Sequence, residues 1–352
     1  MRVPSAIGAL LCGSAEFVGT TSALSWRRAL LARRGMAARS TSSVRSVFEA
    51  PRLSISSCGE GEVLFFVHGW PDDASVWRAQ VDRLKDKYQC KCVTMPHFGG
   101  RESAIALQHR PQGYSFEEMA EILADNIRRD CGTSPVTLVL HDWGCVWGFM
   151  LQTRHPDLVK RIVALDVGLP SCMSGFEKVS VALLTYQFWP LTAYFLLRVS
   201  ARLGSPFRRW GQAVADWMIR AFTKFIGYGS KRITADASYP YVHFLTGLGF
   251  REPKLTAGAV LPSCPCLFMY GKRKPYMFHS AAWERHLRSR SDCEVIPVNA
   301  GHWLQVQKAE LVNHAIETWL EKKDMGAAPH MCQDSRFQAT SCIFLRAYMP
   351  WI

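Results

Sequence analysis

Asp142 ends the run Thr137-Leu138-Val139-Leu140-His141, and Trp143-Gly144-Cys145 opens a helical pattern directly behind it. A run of β-formers that stops at an acid and turns at once into a helix has the layout of a nucleophile elbow, with aspartate where serine usually stands. A carboxylate in that place attacks a saturated carbon and leaves a covalent ester. Gly144 and the small Cys145 supply the low bulk that so sharp a turn needs. The Trp143 N–H, at a helix N-terminus, then faces any oxyanion formed beside the nucleophile. A second donor is expected from the Trp70 N–H in the loop His68-Gly69-Trp70-Pro71. The competing reading of Asp142 is an ordinary turn residue or a helix N-cap.

An ester has to be released, so a base must activate water. His302, in Asn299-Ala300-Gly301-His302-Trp303 after the last predicted strand, is the expected base. His97, His243 and His279 lack that context and read as loop, surface or cap residues. The histidine needs an acid to orient it and to stabilise its protonated form. Gly271-Lys272-Arg273-Lys274-Pro275 offers no carboxylate, whereas Asp166 lies near the end of the strand that follows the nucleophile strand. Asp166 is therefore the expected acid, with a structural capping role as its alternative.

Positioning these groups requires a sheet. Short strands are expected at Val44 to Phe48 and Arg52 to Ser57, and Val63 to Val67 is a continuous apolar run of the buried type. Asp73 or Ser75 can cap a helix from Val76 to Lys87, followed by a strand at Cys90 to Met95. A helix at Ser115 to Arg129, the nucleophile strand, a helix to His155 and a strand at Arg161 to Val167 continue the alternation. It resumes with a strand at Cys266 to Tyr270, a helix at Ser280 to Arg288, a strand at Glu294 to Val298 and a helix at Ala309 to Lys322. This is the pattern of an α/β protein with a mostly parallel sheet covered on both faces. The expected organisation is a leader at 1–43, a core at 44–168 and 248–323, a helical cap at 169–247 and a tail at 324–352 with no assigned role.

Within the cap, Val179 to Leu197 is uncharged and long enough to raise a membrane span, but Pro190, Thr185, Gln187 and Thr192 favour a cap helix pair beside an apolar cavity. Arg198, Arg202, Arg208, Arg209, Arg220, Lys224, Lys231 and Arg232 follow, against Asp216 alone, as a solvated face that could also touch anionic lipid. The formal net charge of +13 includes Arg2, Arg27, Arg28, Arg33, Arg34 and Arg39 in a leader whose only acid is Glu16. Such an Arg- and Ser-rich segment reads as a mitochondrial transit segment, the alternative being an unstructured tail on a cytoplasmic or membrane-associated protein. No nucleic-acid signature accompanies the charge, and nucleic acid is discounted as a partner. Cys90-Lys91-Cys92 and Cys264-Pro265-Cys266 lack zinc-finger spacing, so the cysteines read as buried free thiols and no metal site is expected. With 48% hydrophobic and 20% charged residues, the 352-residue chain can bury one substantial core.

Taken together, His68-Gly69-Trp70-Pro71, His141-Asp142-Trp143-Gly144 and Gly301-His302-Trp303 resemble the α/β-hydrolase superfamily, and within it the epoxide hydrolase and haloalkane dehalogenase group. The resemblance covers about residues 60 to 322 and implies Asp142 as nucleophile, His302 as base and backbone donors at Trp70 and Trp143. An acid at Asp166 is similar to an arrangement known among the dehalogenases; the absent acid near Lys274 departs from the commoner epoxide hydrolase pattern. Similar epoxide hydrolases protonate the opening ring with cap tyrosines, which here implies Tyr186 and Tyr241, with Tyr239 as a substitute for the latter and a core or rim position as the alternative for each. The expected function is hydrolysis of a lipophilic epoxide to a diol without a cofactor. The alternatives are a haloalkane dehalogenase and a non-catalytic ligand-binding or membrane-associated protein of the same fold.

Overall fold

The computed structural model describes residues 50–100, 110, 112–168, 181–245, 261–274 and 277–326. The expected leader, the strand at Val44 to Phe48, nearly all of the tail, residues 169–180 and 246–247 of the expected cap and residues 248–260 of the expected core lie outside the described residues. The strands are β1 (Ser54–Cys58), β2 (Glu62–Val67), β3 (Tyr88–Thr94), β4 (Val136–His141), β5 (Val159–Leu165), β6 (Cys266–Gly271) and β7 (Glu294–Val298). They form a seven-stranded sheet in the order β1-β3-β2-β4-β5-β6-β7. β1 pairs antiparallel with β3, and every other pairing is parallel. All six residues of β4 are buried, the mark of a parallel strand covered on both faces.

The helices are α1 (Arg78–Leu84), α2 (Phe116–Cys131), α3 (Trp143–Arg154), α4 (Val181–Arg202), α5 (Ser205–Ile226), α6 (Tyr239–Leu245), α7 (Ala281–Arg288), α8 (Leu304–Gln307) and α9 (Ala309–Gly326). Alternate strand residues face opposite layers. Leu64, Phe66, Val139, Val163, Leu267 and Met269 share a buried cluster with Leu84 of α1 and Val312, Ile316 and Trp319 of α9. On the other face Gly148 of α3 lies against Leu140, while Trp283 of α7 meets both Phe149 and Phe268. Each such fully buried side chain contributes about 1.5–3 kcal/mol. The α/β-hydrolase fold expected from the sequence is the fold observed.

Local differences have local causes. Asp73 accepts from Ser75 N and opens a 3-10 turn at Ala74–Trp77, so α1 starts only at Arg78 and is shorter than expected. Ser115 and Glu118 form a reciprocal capping box that fixes the start of α2. Pro190, expected to interrupt the apolar stretch, lies inside the continuous helix α4. Its ring is buried, the Thr192 hydroxyl donates to the Phe188 carbonyl in the adjacent turn, and Ala193, Tyr194 and Leu197 continue the buried face beyond it. No described helix is long and apolar enough to cross a membrane. Among the described cysteines Cys90, Cys92, Cys145 and Cys266 are buried free thiols, while Cys58 is exposed.

The chain leaves β2 towards β3 on one side, then crosses back to β4 and continues to β5 on the other. The strand order thus reverses between β2 and β4, the place in an open α/β sheet where ligands bind beyond the carboxyl ends of the strands. The loops carrying Trp70 and Asp142 leave the sheet at this point.

Candidate active site

β4 delivers Asp142 into a turn at φ 53° and ψ −125°, a backbone conformation that non-glycine residues rarely adopt. Asp142 is the N-cap residue of α3 by position, yet its side chain makes no capping hydrogen bond to the helix. The carboxylate is directed instead towards the loop after β2. There the Trp70 N–H donates to Asp142 Oδ1 at 2.8 Å, and the Trp143 N–H also bonds the carboxylate. A Cβ on Gly69 would strike Asp142, and one on Gly144 would strike the Val67 carbonyl. Both glycines are therefore required for the two loops to approach this closely.

His302, in the loop after β7, holds its Nε2 3.3 Å from Asp142 Oδ2 and its Nδ1 2.5 Å from Asp166 Oδ2. Asp166 lies near the end of this strand as expected, at φ 74° one residue past β5, which stops at Leu165 rather than running to Val167. Its other oxygen accepts from the Gly271 N–H at 2.9 Å and from Lys274 Nζ at 2.5 Å. The sequence-predicted nucleophile, base and acid thus stand in one hydrogen-bonded row, with 16% and 12% of the Asp142 and His302 side chains still accessible.

Burial opposes charge on every member of the row, but the partners prevail. Burial raises the Asp166 carboxyl, yet the His302 hydrogen bond and the charges of His302 and Lys274 bring it down to about 2. Burial likewise raises Asp142, and the hydrogen bond and charge of His302 lower it overall. Burial lowers His302, while hydrogen bonds and charges from Asp142 and Asp166 lift it to about 9. At neutral pH the row is an imidazolium between two carboxylates.

Of the expected cap tyrosines, Tyr186 on α4 and Tyr241 on α6 place their hydroxyls 3.1 Å apart. The Tyr241 ring lies 5.3 Å from the rings of both Trp70 and Trp143, and Tyr186 lies 6.0 Å from Trp70. Burial first, then Tyr186 and the Asp142 charge, push the Tyr241 hydroxyl well above its ordinary value, so it remains a proton donor. Phe222 beside Trp70 and Tyr186, and Phe244 beside Trp143, add apolar walls. Tyr239, the named substitute, packs instead against His97 and Phe98 and takes no place in this group. His97 itself is a buried loop residue, His243 on α6 lies 3.2 Å from the Gln112 carbonyl, and the side chain of His279 packs against Tyr270.

Several supporting residues escaped sequence reasoning. Lys274 occupies the segment noted only for lacking a carboxylate, and its side chain is buried against Asp166 with 5% exposure. Asp72 is buried, accepts from Trp303 Nε1 at 2.9 Å, and is raised to about 7, chiefly by burial. Tyr228 from the helical insertion stacks on Trp303 at 4.3 Å, and Gln307 of the unexpected helix α8 bonds both Tyr228 Oη and the Gly301 N–H. His68 Nδ1–H donates to the Gly69 carbonyl while Nε2 accepts from the Met95 N–H, which ties the Trp70 loop to the end of β3. Burial lowers His68 to about 4 and His141 to about 3, so both are neutral struts.

A family model described as the alpha/beta hydrolase fold matches residues 62–309. The chain is 25% identical over 275 residues to epoxide hydrolase 3 of Xenopus tropicalis, covering 74% of this chain and 71% of that protein. A fluoroacetate dehalogenase from a Burkholderia species is 28% identical over 138 residues, covering 39% of this chain and 43% of that one. Among solved structures, a thermophilic esterase from Thermogutta terrifontis superposes with a TM-score of 0.51 at 19% identity, covering 77% of this chain and 93% of the other. A variant of a Bacillus megaterium epoxide hydrolase in complex with its diol product superposes with a TM-score of 0.50 at 18% identity, covering 76% and 96%. At these identities the structural likeness speaks for the fold alone.

Proposed function

Because this chain belongs to the α/β-hydrolase fold family and is a hydrolase, we propose that it opens a lipophilic epoxide and releases a diol through a covalent ester on Asp142. The observation that carries the reading is the Tyr186–Tyr241 hydroxyl pair beside Trp70 and Trp143, next to a row of Asp142, His302 and Asp166. Epoxide opening produces an alkoxide, and the paired phenols of Tyr186 and the buried Tyr241 supply the proton it needs.

Asp142 Oδ1 is engaged by the Trp70 N–H, so Oδ2 attacks the ring carbon while the carbon–oxygen bond of the epoxide breaks and a tyrosine protonates the departing oxygen. Esterification removes the Asp142 charge, one of the two anions that hold the proton on His302. The imidazolium then releases its proton, which restores the tyrosine through solvent, and the neutral ring becomes a base. His302 next takes a proton from water, and the hydroxide adds to the ester carbon. The oxyanion forms on Oδ1, where the Trp70 and Trp143 N–H groups stabilise it. Collapse expels the diol oxygen, which takes the proton back from His302, and the proton left on the Asp142 carboxyl then passes to His302 and restores the starting pair. The base is thus available only after the first step has occurred. Side chains, backbone donors and water suffice for the sequence.

A single turnover in heavy-oxygen water tests the route. Label is expected in Asp142 and not in the first diol formed; a labelled diol with unlabelled Asp142 would overturn it. A His302→Gln variant is expected to accumulate the ester. Haloalkanes are the competing substrate class, because the buried Trp70 indole N–H finds no acceptor among the described residues and is free to serve a departing halide. Halide release with epoxides untouched would favour that reading. Mitochondrial delivery by residues 1–43 remains a separate proposal, which a reporter fused to that segment would test. Peripheral membrane contact through the insertion belongs to the same reading, since a lipophilic substrate partitions into bilayers.

A further inference from the structure

The outward faces of α4 and α5 carry side chains that a water-facing helix pair does not need. On α4 Phe188, Phe195 and Val199 are exposed, and on α5 Phe207, Trp210 and Trp217 are exposed, with Trp210 at 62% and Trp217 at 64%. Positions 188, 195 and 199, and positions 207, 210 and 217, each recur at helical spacing, so each set is one stripe rather than a scatter. Inward-facing residues such as Tyr194, Ala215 and Ile219 are buried, which leaves each helix apolar on two sides. Exposed apolar area of this kind marks an interaction surface.

Charge decides between its occupants. Arg202, Arg208, Arg209, Arg220 and Lys224 are exposed on the same hairpin, and none forms an ion pair with another described residue. The only acid on either helix, Asp216, is buried and accepts from the Ala235 N–H. Arg198 differs, being tied to Asp236 at 2.8 Å. A second copy of the chain would bring two cationic sets face to face, a juxtaposition that opposes pairing. An anionic bilayer complements both features, since tryptophan favours the interface and lysine and arginine favour acidic headgroups.

We propose that the outer face of the α4–α5 hairpin docks, without spanning, on the interface of an anionic phospholipid bilayer. Tyr186 projects from the opposite, inner side of the same α4, so docking holds the candidate site one helix away from the phase in which a lipophilic substrate concentrates. The inference deepens the functional reading above, but its test is independent of turnover.

The full chain is floated with vesicles of phosphatidylcholine alone or mixed with phosphatidylserine. Flotation with the mixed vesicles, weak flotation with phosphatidylcholine, and loss of binding in high salt are expected. A Trp210→Ser/Trp217→Ser variant, altered only at exposed positions, is expected to lose at least about tenfold in partitioning while keeping the wild-type melting temperature, the loss expected for two interfacial anchors. An Arg208→Glu/Arg209→Glu variant is expected to lose the preference for phosphatidylserine. Wild-type protein that stays unbound on mixed vesicles would overturn the proposal, as would the tryptophan variant floating like wild type. A wild-type dimer that the tryptophan variant converts to monomer would assign the face to a second copy instead. Epoxide turnover without vesicle binding would remove this inference alone; vesicle binding without turnover would remove only the reaction.

Discussion

Lys274 Nζ lies 2.5 Å from Asp166 Oδ1, on the side of the carboxylate opposite His302. Burial lowers the Lys274 ammonium from its ordinary value, while Asp166 works to keep it charged. A cation thus stands in the stretch where the sequence lacked an acid, and it steadies an acid supplied from the turn just after β5.

Removing that cation separates packing from charge. Lys274→Met leaves Asp166 with one partner fewer and is expected to cost about 3 kcal/mol in urea unfolding, the usual penalty for breaking a buried pair. It also exposes His302 to the full Asp166 charge, so the pH at which the ester-hydrolysis step reaches half its rate rises. The double variant Asp166→Asn/Lys274→Met is expected to cost less than the sum of the singles. Unchanged stability and an unchanged pH profile in Lys274→Met would show that the pair contributes neither.

The tyrosine pair distinguishes substrates. Tyr241→Phe and Tyr186→Phe are each expected to slow ester formation from an epoxide by about 10²-fold, the scale of losing one donor to a developing oxyanion. Ester hydrolysis, followed in single-turnover experiments, is expected to change little. Equal losses in both half-reactions would count against a role in ring opening.

Stability is expected to depend on pH through His302. Its folded value, about 9, exceeds the ordinary 6.5, so the folded state binds the proton more tightly than the unfolded chain. The stabilisation is fully present below about pH 6.5 and is lost as pH rises through about 9, with a total on the order of 3 kcal/mol. Urea unfolding of wild type and His302→Gln across that window measures it. A wild-type curve no steeper than that of the variant would refute the assignment.

Much of the frame was legible in the chain because its signals are local. The run into Asp142, the Ser115–Glu118 capping box, the Ser280 cap and the apolar β6 and β7 segments carry their periodicity and end signals within a few residues. Boundaries moved where a local cap or turn intervened, as at Asp73 and at Asp166. Pro190 counted against a membrane span, and the helix nevertheless runs through it because packing along its buried face outweighs the missing N–H.

Residue types by themselves determined which groups could react: a carboxylate at a strand-to-helix turn, an imidazole after the last strand, and phenols in a helical insertion. Which of these meet was decided in three dimensions. Tyr239 and Tyr241 are two positions apart on one short helix, yet only Tyr241 reaches Trp70 and Trp143. Asp166 and Lys274, 108 positions apart, pair because β5 and β6 are neighbours in the sheet. Asp72 finds Trp303 for a similar reason, since both loops leave the carboxyl edge of the sheet. Side-chain chemistry is inherent in each residue, but contact between distant residues depends on strand order, and strand order is a property of the packed sheet.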